Sequence, residues 1–278
     1  MSSIITACLI MAILGLILSF FLGIAAKVFY VETDPRIEQI LDMLPGANCG
    51  GCGYAGCSDY AEAIVKKNEK PNKCVGCGAD VIEKICAIIG TKATIEERKV
   101  ARIRCAGDNT KAKFEFKYIG AKDCHAAMLL NGGNKACKYG CLGLGSCIRA
   151  CPFGALSMGE NGIPVVDEDL CTGCGNCVKA CPRDIPQLYP VSQKVLPLCN
   201  NPLKGKVVKQ VCSVGCIGCN LCVKKCPEKA IKMVNGLPVI DNNKCTGCFE
   251  CVKRCPTGAM SKLIKEVKEE DKVEANAA

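Results

Sequence analysis

The sequence predicts an α+β protein built from one membrane-spanning helix, a small α-helical domain and two tandem copies of a cysteine-rich module. Three observations predict this architecture. Residues 4–26 contain no charged side chain. The chain has 27 cysteines among 278 residues, and they fall into short-spaced groups. The cysteine pattern of residues 124–181 then recurs in residues 199–255, which indicates an internal repeat.

Residues 1–30 are predicted to form a membrane anchor. As an α-helix of about 1.5 Å per residue, the uncharged run spans roughly 35 Å, enough for a hydrocarbon core of about 30 Å. A cleaved signal peptide would have a positive start and a shorter apolar core. The first charged side chain is Lys27, after the run, so the positive-inside rule places the rest of the chain in the cytoplasm. We therefore expect a single-pass protein of the cell membrane with a cytoplasmic soluble part, and Cys8 as an apolar residue of the span.

The cysteine groups have three possible chemical interpretations: disulfides, zinc sites and iron–sulfur clusters. Disulfide scaffolds are short, secreted and irregular in spacing, whereas this chain is long and its spacing repeats. Pairs with C-x2-C spacing also make zinc sites. Groups of three or four close cysteines that end in Cys-Pro, however, are typical of iron–sulfur clusters. Such thiolates need a reducing compartment, which agrees with a cytoplasmic location.

Residues 31–92 are predicted to form a small α-helical domain that binds one [4Fe–4S] cluster. Asp34 followed by Pro35 is typical of a helix N-cap and its first helical residue. A glycine-rich turn then carries three cysteines, and a fourth returns after a helix; glycine lets the backbone approach a cluster closely. The predicted ligands are Cys49, Cys52, Cys57 and Cys74. Cys77 is left as a spare thiol, and Cys86 falls on an apolar helix face, as a core thiol would.

Residues 93–123 are predicted to be a connecting, β-like segment. The stretches VARIRC and FEFKYI alternate apolar and polar side chains in the manner of half-buried strands. Two modules follow at 124–195 and 196–261, and the charged tail at 262–278 is predicted to be a solvated helix or a fraying end. His125, the only histidine, is interpreted as a surface residue or a neighbour of a ligand rather than an iron ligand.

The two modules are predicted to be bacterial ferredoxin-like modules that hold two clusters each. Their cysteine runs follow the C-x2-C-x2-C-x3-C-P spacing, in which the cysteine before proline ligates the other cluster. Three complete ligand sets result: Cys151 with Cys171, Cys174 and Cys177; Cys226 with Cys245, Cys248 and Cys251; and Cys255 with Cys216, Cys219 and Cys222.

One run of the first module departs from this spacing, because Leu144 stands where the second module has Cys219. The cysteines that remain for its site are Cys141, Cys147 and Cys181. We predict Cys105 as the replacement ligand, since it has no counterpart in the second module. Two cysteine pairs that match across the repeat are predicted to hold a sixth cluster between the modules: Cys124 and Cys137 with Cys199 and Cys212. The prediction is thus five [4Fe–4S] clusters and a sixth; alternatively, these five thiols are free and buried around five clusters.

The formal net charge of +9 does not indicate a nucleic-acid partner. That charge counts each cysteine as a neutral thiol, whereas a [4Fe–4S] core with its four thiolates adds roughly −2. Five or six clusters therefore offset the excess of lysine and arginine. Aromatic residues make up only 5% of the chain, so no base-stacking platform is evident.

Taken together, these features resemble a known protein family. The apolar N-terminal helix, the stretch MLPGANCGGCGYAGC with its later NKC, and the tandem ferredoxin motifs resemble the B subunit of the Rnf complex over nearly the whole chain. The wide cysteine spacing between Cys105 and Cys151 resembles the elongated form of anaerobic bacteria. The resemblance implies a subunit of an ion-translocating ferredoxin–NAD oxidoreductase that accepts electrons from soluble ferredoxin. It also implies that other membrane and peripheral subunits carry the NAD site, the flavins and the ion pathway.

The residues alone also favour an electron relay, because cluster chemistry is one-electron and the protein sets position and potential. No acid–base pair, nucleophile or dinucleotide fingerprint accompanies the cysteines, so we expect no independent active site. Three alternatives remain open. One is an iron–sulfur enzyme whose incomplete cluster near Leu144 binds a substrate, another is an electron-transfer subunit of a different membrane redox complex, and the third is a zinc-stabilised scaffold.

Overall fold

The computed structural model describes residues 2–29, 34–91 and 97–263. Its first element is helix α1 (Ser2–Val28). Residues Ile4–Val28 of this helix have a mean hydropathy of 2.7 and are not buried against the rest of the protein. By length and composition, this is the one helix among the described residues that could cross a membrane.

A small helical domain follows α1. It contains α2 (Pro35–Met43), α3 (Cys57–Lys67), a 3₁₀ turn at Pro71–Lys73 and α4 (Ala79–Ile89). The Asp34 side chain caps α2 by accepting a hydrogen bond from the Arg36 backbone N–H at 2.9 Å, as the sequence indicates. The helices bury a core of Ile40, Tyr60, Ile64 and Ile85, and Cys86 is also buried, on α4. This core fixes the glycine-rich loop that enters α3.

The segment between the helical domain and the first module contributes one strand, β1 (Lys99–Ile103). It pairs antiparallel with β4 (Pro186–Pro190) at the end of the first module. The predicted second strand at FEFKYI is wrong, because Phe114 makes only an isolated bridge to Lys135 and Ile119 is exposed. An alternating pattern without a neighbouring strand to bond to does not form a sheet.

The first copy of the repeat contains two cysteine helices on either side of a hairpin. Its elements are α5 (Cys124–Met128), α6 (Ser146–Arg149), the hairpin β2 (Leu156–Met158) and β3 (Pro164–Val166), and α7 (Asn176–Lys179) before β4. The second copy repeats this order. Its elements are β5 (Val195–Pro197), α8 (Gly205–Val211), α9 (Leu221–Lys224), β6 (Ile231–Val234), β7 (Leu237–Ile240), α10 (Glu250–Lys253) and β8 (Met260–Lys262).

The residues after β1 run along the seam between the two copies. The Ala106 N–H donates to the Leu198 carbonyl at 3.0 Å, and the Lys113 N–H donates to the Val211 carbonyl at 2.9 Å. Strand β5 pairs with β8, so the beginning and end of the second copy close on each other. The seam is therefore held by backbone hydrogen bonds from both sides. The charged tail that the sequence predicts lies outside the described residues from 264 onward.

Candidate iron–sulfur sites

Every cysteine from Cys49 to Cys255 is a free thiol. In the parts of the chain that the structure describes, no group of three or more His, Cys, Asp or Glu side chains could hold a single metal ion. The thiols instead surround cavities or form surface groups, four to each. We number these candidate sites 1 to 6 in the order in which they adjoin one another.

Site 1 lies in the helical domain and contains the four thiols that the sequence predicts: Cys49, Cys52, Cys57 and Cys74. They line an open cavity of about 510 Å³. The Asn48 side chain accepts a hydrogen bond from the Cys57 N–H at 2.8 Å, which ties the glycine-rich loop to the start of α3. Cys77 is absent from the cavity lining. It forms a hydrogen bond with the Cys74 sulfur, which lowers the pKa of Cys74 to about 6.

Site 2 adjoins site 1 and also contains a predicted set: Cys151, Cys171, Cys174 and Cys177. Its cavity is about 270 Å³, and the Ala101 N–H of β1 donates to the Cys171 sulfur at 3.3 Å. Phe153 and Thr172 line the cavities of sites 1 and 2 together. The Asn176 side chain donates to the Cys49 carbonyl at 3.0 Å. The helical domain therefore packs directly against the surface of the first copy at site 2.

Site 3 is the site that lacks a standard ligand because of Leu144. Its cavity of about 380 Å³ is lined by four thiols: Cys124, Cys141, Cys147 and Cys181. Cys124 begins α5, where its N–H donates to the Ser146 hydroxyl at 2.8 Å and the Asp123 carboxylate caps the helix. Burial raises the pKa of the Cys141 and Cys147 thiols to about 12 each, and neighbouring thiolates contribute to this rise.

Site 4 lies in the seam between the copies. Its thiols, Cys105, Cys137, Cys199 and Cys212, line a second cavity of about 380 Å³. Two glycines face these sulfurs: a Cβ at Gly107 would lie 3.1 Å from the Cys212 sulfur, and one at Gly140 would lie 3.4 Å from the Cys137 sulfur. The wall is thus kept open by the absence of side chains. The Asn201 side chain also donates to the Cys137 sulfur at 3.5 Å.

Two thiols lie at each other's predicted sites. Cys105 was expected at the Leu144 site and Cys124 in the seam, but Cys124 lines site 3 and Cys105 lines site 4. The physical reason is that backbone hydrogen bonds hold the two residues in different places. The N–H of Ala106, which follows Cys105, donates to the Leu198 carbonyl of the second copy, whereas the Cys124 N–H donates to the Ser146 hydroxyl within the first copy. No local sequence signal reveals this, since Cys124 aligns with Cys199 in the repeat.

Sites 5 and 6 belong to the second copy and match the predicted sets. Site 6 has a cavity of about 340 Å³ lined by Cys226, Cys245, Cys248 and Cys251. Site 5 is the group Cys216, Cys219, Cys222 and Cys255, in which the thiolates of Cys219 and Cys255 raise the pKa of Cys216 beyond the effect of burial. Cys219 and Cys248 are exposed, in contrast to the other described cysteine side chains.

The six sites form one row. Sites 1 and 2 share a wall, as described above. Across each later boundary, thiols of adjacent sites lie against each other. Cys147 and Cys177 pack in one hydrophobic cluster, and the Cys141 N–H donates to the Cys105 sulfur at 3.3 Å. The Cys216 N–H donates to the Cys199 sulfur, and Cys222 packs against the hydrophobic cluster that contains Cys251. The row therefore runs without a gap from the helical domain to the far end of the second copy.

Two buried cations accompany the central sites, and sequence reasoning missed both. Lys135 has no exposed surface, lines site 4 and donates to the Gly107 carbonyl at 3.0 Å. Arg183 is 7% exposed, lines site 3 and donates to the Cys137 carbonyl at 2.9 Å. Burial lowers the pKa of Arg183, and nearby thiolates oppose this. The sequence signal was available, because Arg183 follows a Cys-Pro pair where the other three runs have Phe, Glu or Thr.

His125 lies at the surface, as the sequence indicates. Its side chain is exposed, and the ring Nε2 is 3.2 Å from the Ala180 carbonyl oxygen. It does not line any of the cavities described above.

Family models match the three parts of the chain that carry most of these thiols. A model described as a putative Fe-S cluster matches residues 44–75, and a 4Fe-4S dicluster domain matches residues 136–185 and 215–259. Twenty of the 24 thiols of sites 1 to 6 lie in these ranges; the four outside are Cys124 of site 3 and Cys105, Cys199 and Cys212 of site 4. The chain therefore binds [4Fe–4S] clusters.

Similar proteins have one common description. The chain is 51% identical over 244 residues to the B subunit of the proton-translocating ferredoxin:NAD(+) oxidoreductase complex of Clostridium ljungdahlii, covering 87% of this chain and 86% of that one. It is 46% identical to the B subunit of an ion-translocating oxidoreductase complex of Methanosarcina acetivorans, covering 87% and 92%. It is 42% identical to the B subunit of the Na(+)-translocating ferredoxin:NAD(+) oxidoreductase complex of Acetobacterium woodii, covering 84% and 71%. These matches confirm the resemblance: the chain belongs to the B-subunit family of Rnf ferredoxin:NAD oxidoreductase complexes and has an iron–sulfur electron-transfer role.

Proposed function

We propose that the chain accepts electrons from reduced ferredoxin and relays them through six [4Fe–4S] clusters towards the membrane. The observation that carries this proposal is the unbroken row of six four-thiol sites. One end of the row is site 6 of the second copy, where Cys248 is exposed, and the other end is site 1 in the helical domain, the part of the chain that follows the apolar helix α1. Bound clusters would supply one-electron chemistry, and the chain supplies their order and surroundings.

The proposed ligand sets follow the cavities and thiol groups. They are Cys49, Cys52, Cys57 and Cys74 for site 1; Cys151, Cys171, Cys174 and Cys177 for site 2; Cys124, Cys141, Cys147 and Cys181 for site 3; Cys105, Cys137, Cys199 and Cys212 for site 4; Cys216, Cys219, Cys222 and Cys255 for site 5; and Cys226, Cys245, Cys248 and Cys251 for site 6.

The surroundings of these thiols fit a cluster. Glycine backbone at Gly107 and Gly140 leaves room beside the sulfurs of site 4. Backbone N–H groups donate to ligand sulfurs elsewhere, for example from Ile185 to Cys181 at 3.4 Å. Such hydrogen bonds stabilise the reduced form and raise the reduction potential. Burial and mutual repulsion raise the pKa of several of these thiols, so an iron core that replaces their protons relieves the crowding.

The soluble part is proposed to consist of a helical domain with one cluster, followed in the chain by two tandem modules with two clusters each. The repeated order of helix, hairpin and helix supports it, as do the two dicluster matches. Site 4 lies between the copies and links them into one relay. The NAD site, the flavins and the ion pathway are then the task of other subunits, and ferredoxin binds as an electron donor from the cytoplasm.

The alternative of a catalytic iron–sulfur enzyme rests on an incomplete cluster near Leu144. Cys124 supports the relay instead, since it brings a fourth thiol to that cavity. Turnover of a small substrate by the isolated protein would favour the enzyme.

The relay is tested in membranes that contain the whole complex. Reduced ferredoxin is mixed with the oxidised complex without NAD(+), the membranes are separated from the soluble ferredoxin, and the reduced clusters in them are measured by electron paramagnetic resonance. We expect reduced clusters in the complete complex and none in membranes that lack this chain. Reduction by dithionite but not by ferredoxin, in the complete complex, would contradict the proposal.

The proposed topology is a single pass with the soluble part in the cytoplasm. Protease added to right-side-out vesicles is then expected to leave the cysteine-rich part intact. Its degradation in sealed vesicles would show the opposite orientation.

A further inference from the structure

The end of the row at site 6 is open to solvent. Cys248 lines this site and is exposed, together with the neighbouring Thr246. We call the surface around Cys248 the Cys248 corner, formed by residues 244–249 and by Glu228 and Lys229. A cluster held at this site would lie at the surface of the protein, at the end opposite to the helical domain.

In the first copy, the surface equivalent to the Cys248 corner is covered by another part of the chain. The counterpart of Cys248 in the repeat is Cys174. A Cβ at Gly51 of the helical domain would lie only 3.0 Å from the Cys174 Cβ, so the backbone of that domain lies against it. The Asn176 side chain adds a hydrogen bond to the Cys49 carbonyl. In the first copy, therefore, another cluster-binding domain occupies this corner.

The charge of the two corners differs. The first copy carries the acidic run Asp167–Glu168–Asp169–Leu170, and the second copy has Asp241–Asn242–Asn243–Lys244 at the same positions. Lys229 likewise stands where the first copy has Gly154. Over the whole copies, residues 195–263 carry eleven Lys and Arg against three Asp and Glu, whereas residues 124–191 carry five of each.

Other lysines extend the positive rim of the Cys248 corner. The Lys194 ammonium donates to the Thr246 carbonyl at 3.1 Å, and the Lys262 ammonium lies 5.0 Å from the centre of the Phe249 ring. The acidic Glu250 is paired with Lys253 at 2.9 Å. Glu228 lines site 6 and Asp241 lies 3.8 Å from Lys244, so these two acids offset part of the rim, which stays positive through Lys194, Lys229 and Lys262. A positive rim around an exposed redox site attracts a negatively charged partner and speeds its association.

We propose that the Cys248 corner is the docking site of a small acidic protein that carries a one-electron centre. On docking, one electron passes from the reduced carrier to the cluster at site 6; the carrier is oxidised by one electron, and no bond forms or breaks. This inference rests on the proposed relay and adds the place at which the relay receives its electrons.

The test compares two double charge reversals in the intact membrane complex. Lys229→Glu with Lys244→Glu changes the Cys248 corner. Lys206→Glu with Lys209→Glu makes the same change of charge on exposed positions of α8, away from site 6. The probe is a reduced ferredoxin of net negative charge, mixed at low ionic strength, and the measured quantity is the second-order rate constant of cluster reduction.

We expect the second-order rate constant of cluster reduction to fall about tenfold or more in the corner variant and to depend less on salt. In the α8 variant, this rate constant should stay within about twofold of its value in the unchanged complex. Bleaching by dithionite and iron content should stay unchanged in both. Equal rates in the two variants would overturn the docking site. Loss of another subunit from the corner variant on purification would overturn it too, since the corner would then belong to that subunit. If the unchanged complex is not reduced by ferredoxin, the proposed function itself fails.

Discussion

The two copies of the repeat have the same cysteine pattern but opposite surroundings. In the first copy, the helical domain covers the corner at Cys174, and the site near Leu144 receives its fourth thiol from Cys124, a buried side chain at the start of α5. In the second copy, the matching corners carry Cys248 and Cys219, both exposed. The first copy is thus an internal link, and the second is a terminus.

The comparison teaches how a duplicated module can acquire two tasks. The second copy exposes one thiol at each of its two sites, Cys219 and Cys248, and an exposed ligand places a site where a partner protein reaches it. The first copy lacks one such ligand, at Leu144, and covers the other with a domain of the same chain. Arg183 and Lys135 then place positive charge beside the two sites at the centre of the row. Seven of the eight thiols of sites 3 and 4 are buried, so these two sites are the most enclosed of the six.

The largest expected effect comes from removing the two thiols that the repeat aligns. Cys124→Ser together with Cys199→Ser should remove two clusters, because the two thiols line different sites, 3 and 4. Iron analysis of the reconstituted protein should then show a loss of about eight iron atoms, against about four for each single change.

Cys86→Ser is the matched control, because Cys86 is buried on α4 and lines none of the five cavities. A loss of only about four iron atoms from the double variant would mean that Cys124 and Cys199 share one cluster, and the comparison of the copies would fail.

The next prediction restores the ligand that the first copy lacks. In the Cys124→Ser background, Leu144→Cys places a thiol where the second copy has Cys219. We expect the cluster of site 3 to return, so that iron content rises by about four atoms. Leu144→Ser in the same background is the control. An absence of recovery would indicate that the first copy differs from the second in more than this ligand.

The sequence predicted the fold in outline. Repeated cysteine spacing predicted which thiols lie together at sites 1, 2, 5 and 6, since these thiols come from short runs with the spacing typical of cluster ligands. Sites 3 and 4 were assigned with Cys105 and Cys124 exchanged. Their thiols come from distant parts of the chain, and the choice depends on backbone hydrogen bonds such as Ala106 to Leu198, which no periodicity encodes. The FEFKYI strand failed for the same reason, because strand formation depends on a neighbour.

A smaller effect is expected where the helical domain covers the first copy. Gly51→Ala forces a Cβ against the backbone of Cys174, at a cost of about 1–3 kcal/mol in that contact. We expect faster hydrogen exchange in residues 48–57 and slower reduction of site 1, with iron content unchanged. Gly78→Ala is the control, because a Cβ there meets no atom within 4 Å. Unchanged exchange in the Gly51 variant would show that the two units are not in firm contact.

The smallest expected effect concerns the buried charge between sites 3 and 4. Arg183→Gln removes a positive charge that is shielded from water, so the potentials of both central clusters should fall by a few tens of millivolts, up to about 100 mV at an effective dielectric constant of about 20. A redox titration followed by electron paramagnetic resonance measures this. Arg149→Gln is the control, because its side chain is 53% exposed and its charge is screened by solvent.

If Arg183→Gln alters iron content, Lys135→Met provides the same test from the other side of site 4. Potentials that do not move in a fully loaded variant would show that these cations serve folding rather than the relay.

The central claim is that the chain holds six clusters in one row, and the cluster count tests it most directly. Native mass spectrometry of the reconstituted full-length protein in detergent gives this count without reference to activity. The account predicts six [4Fe–4S] clusters, about 24 iron atoms with as many sulfides. A mass that saturates at five clusters would leave the thiols of one site free, break the row, and contradict the account.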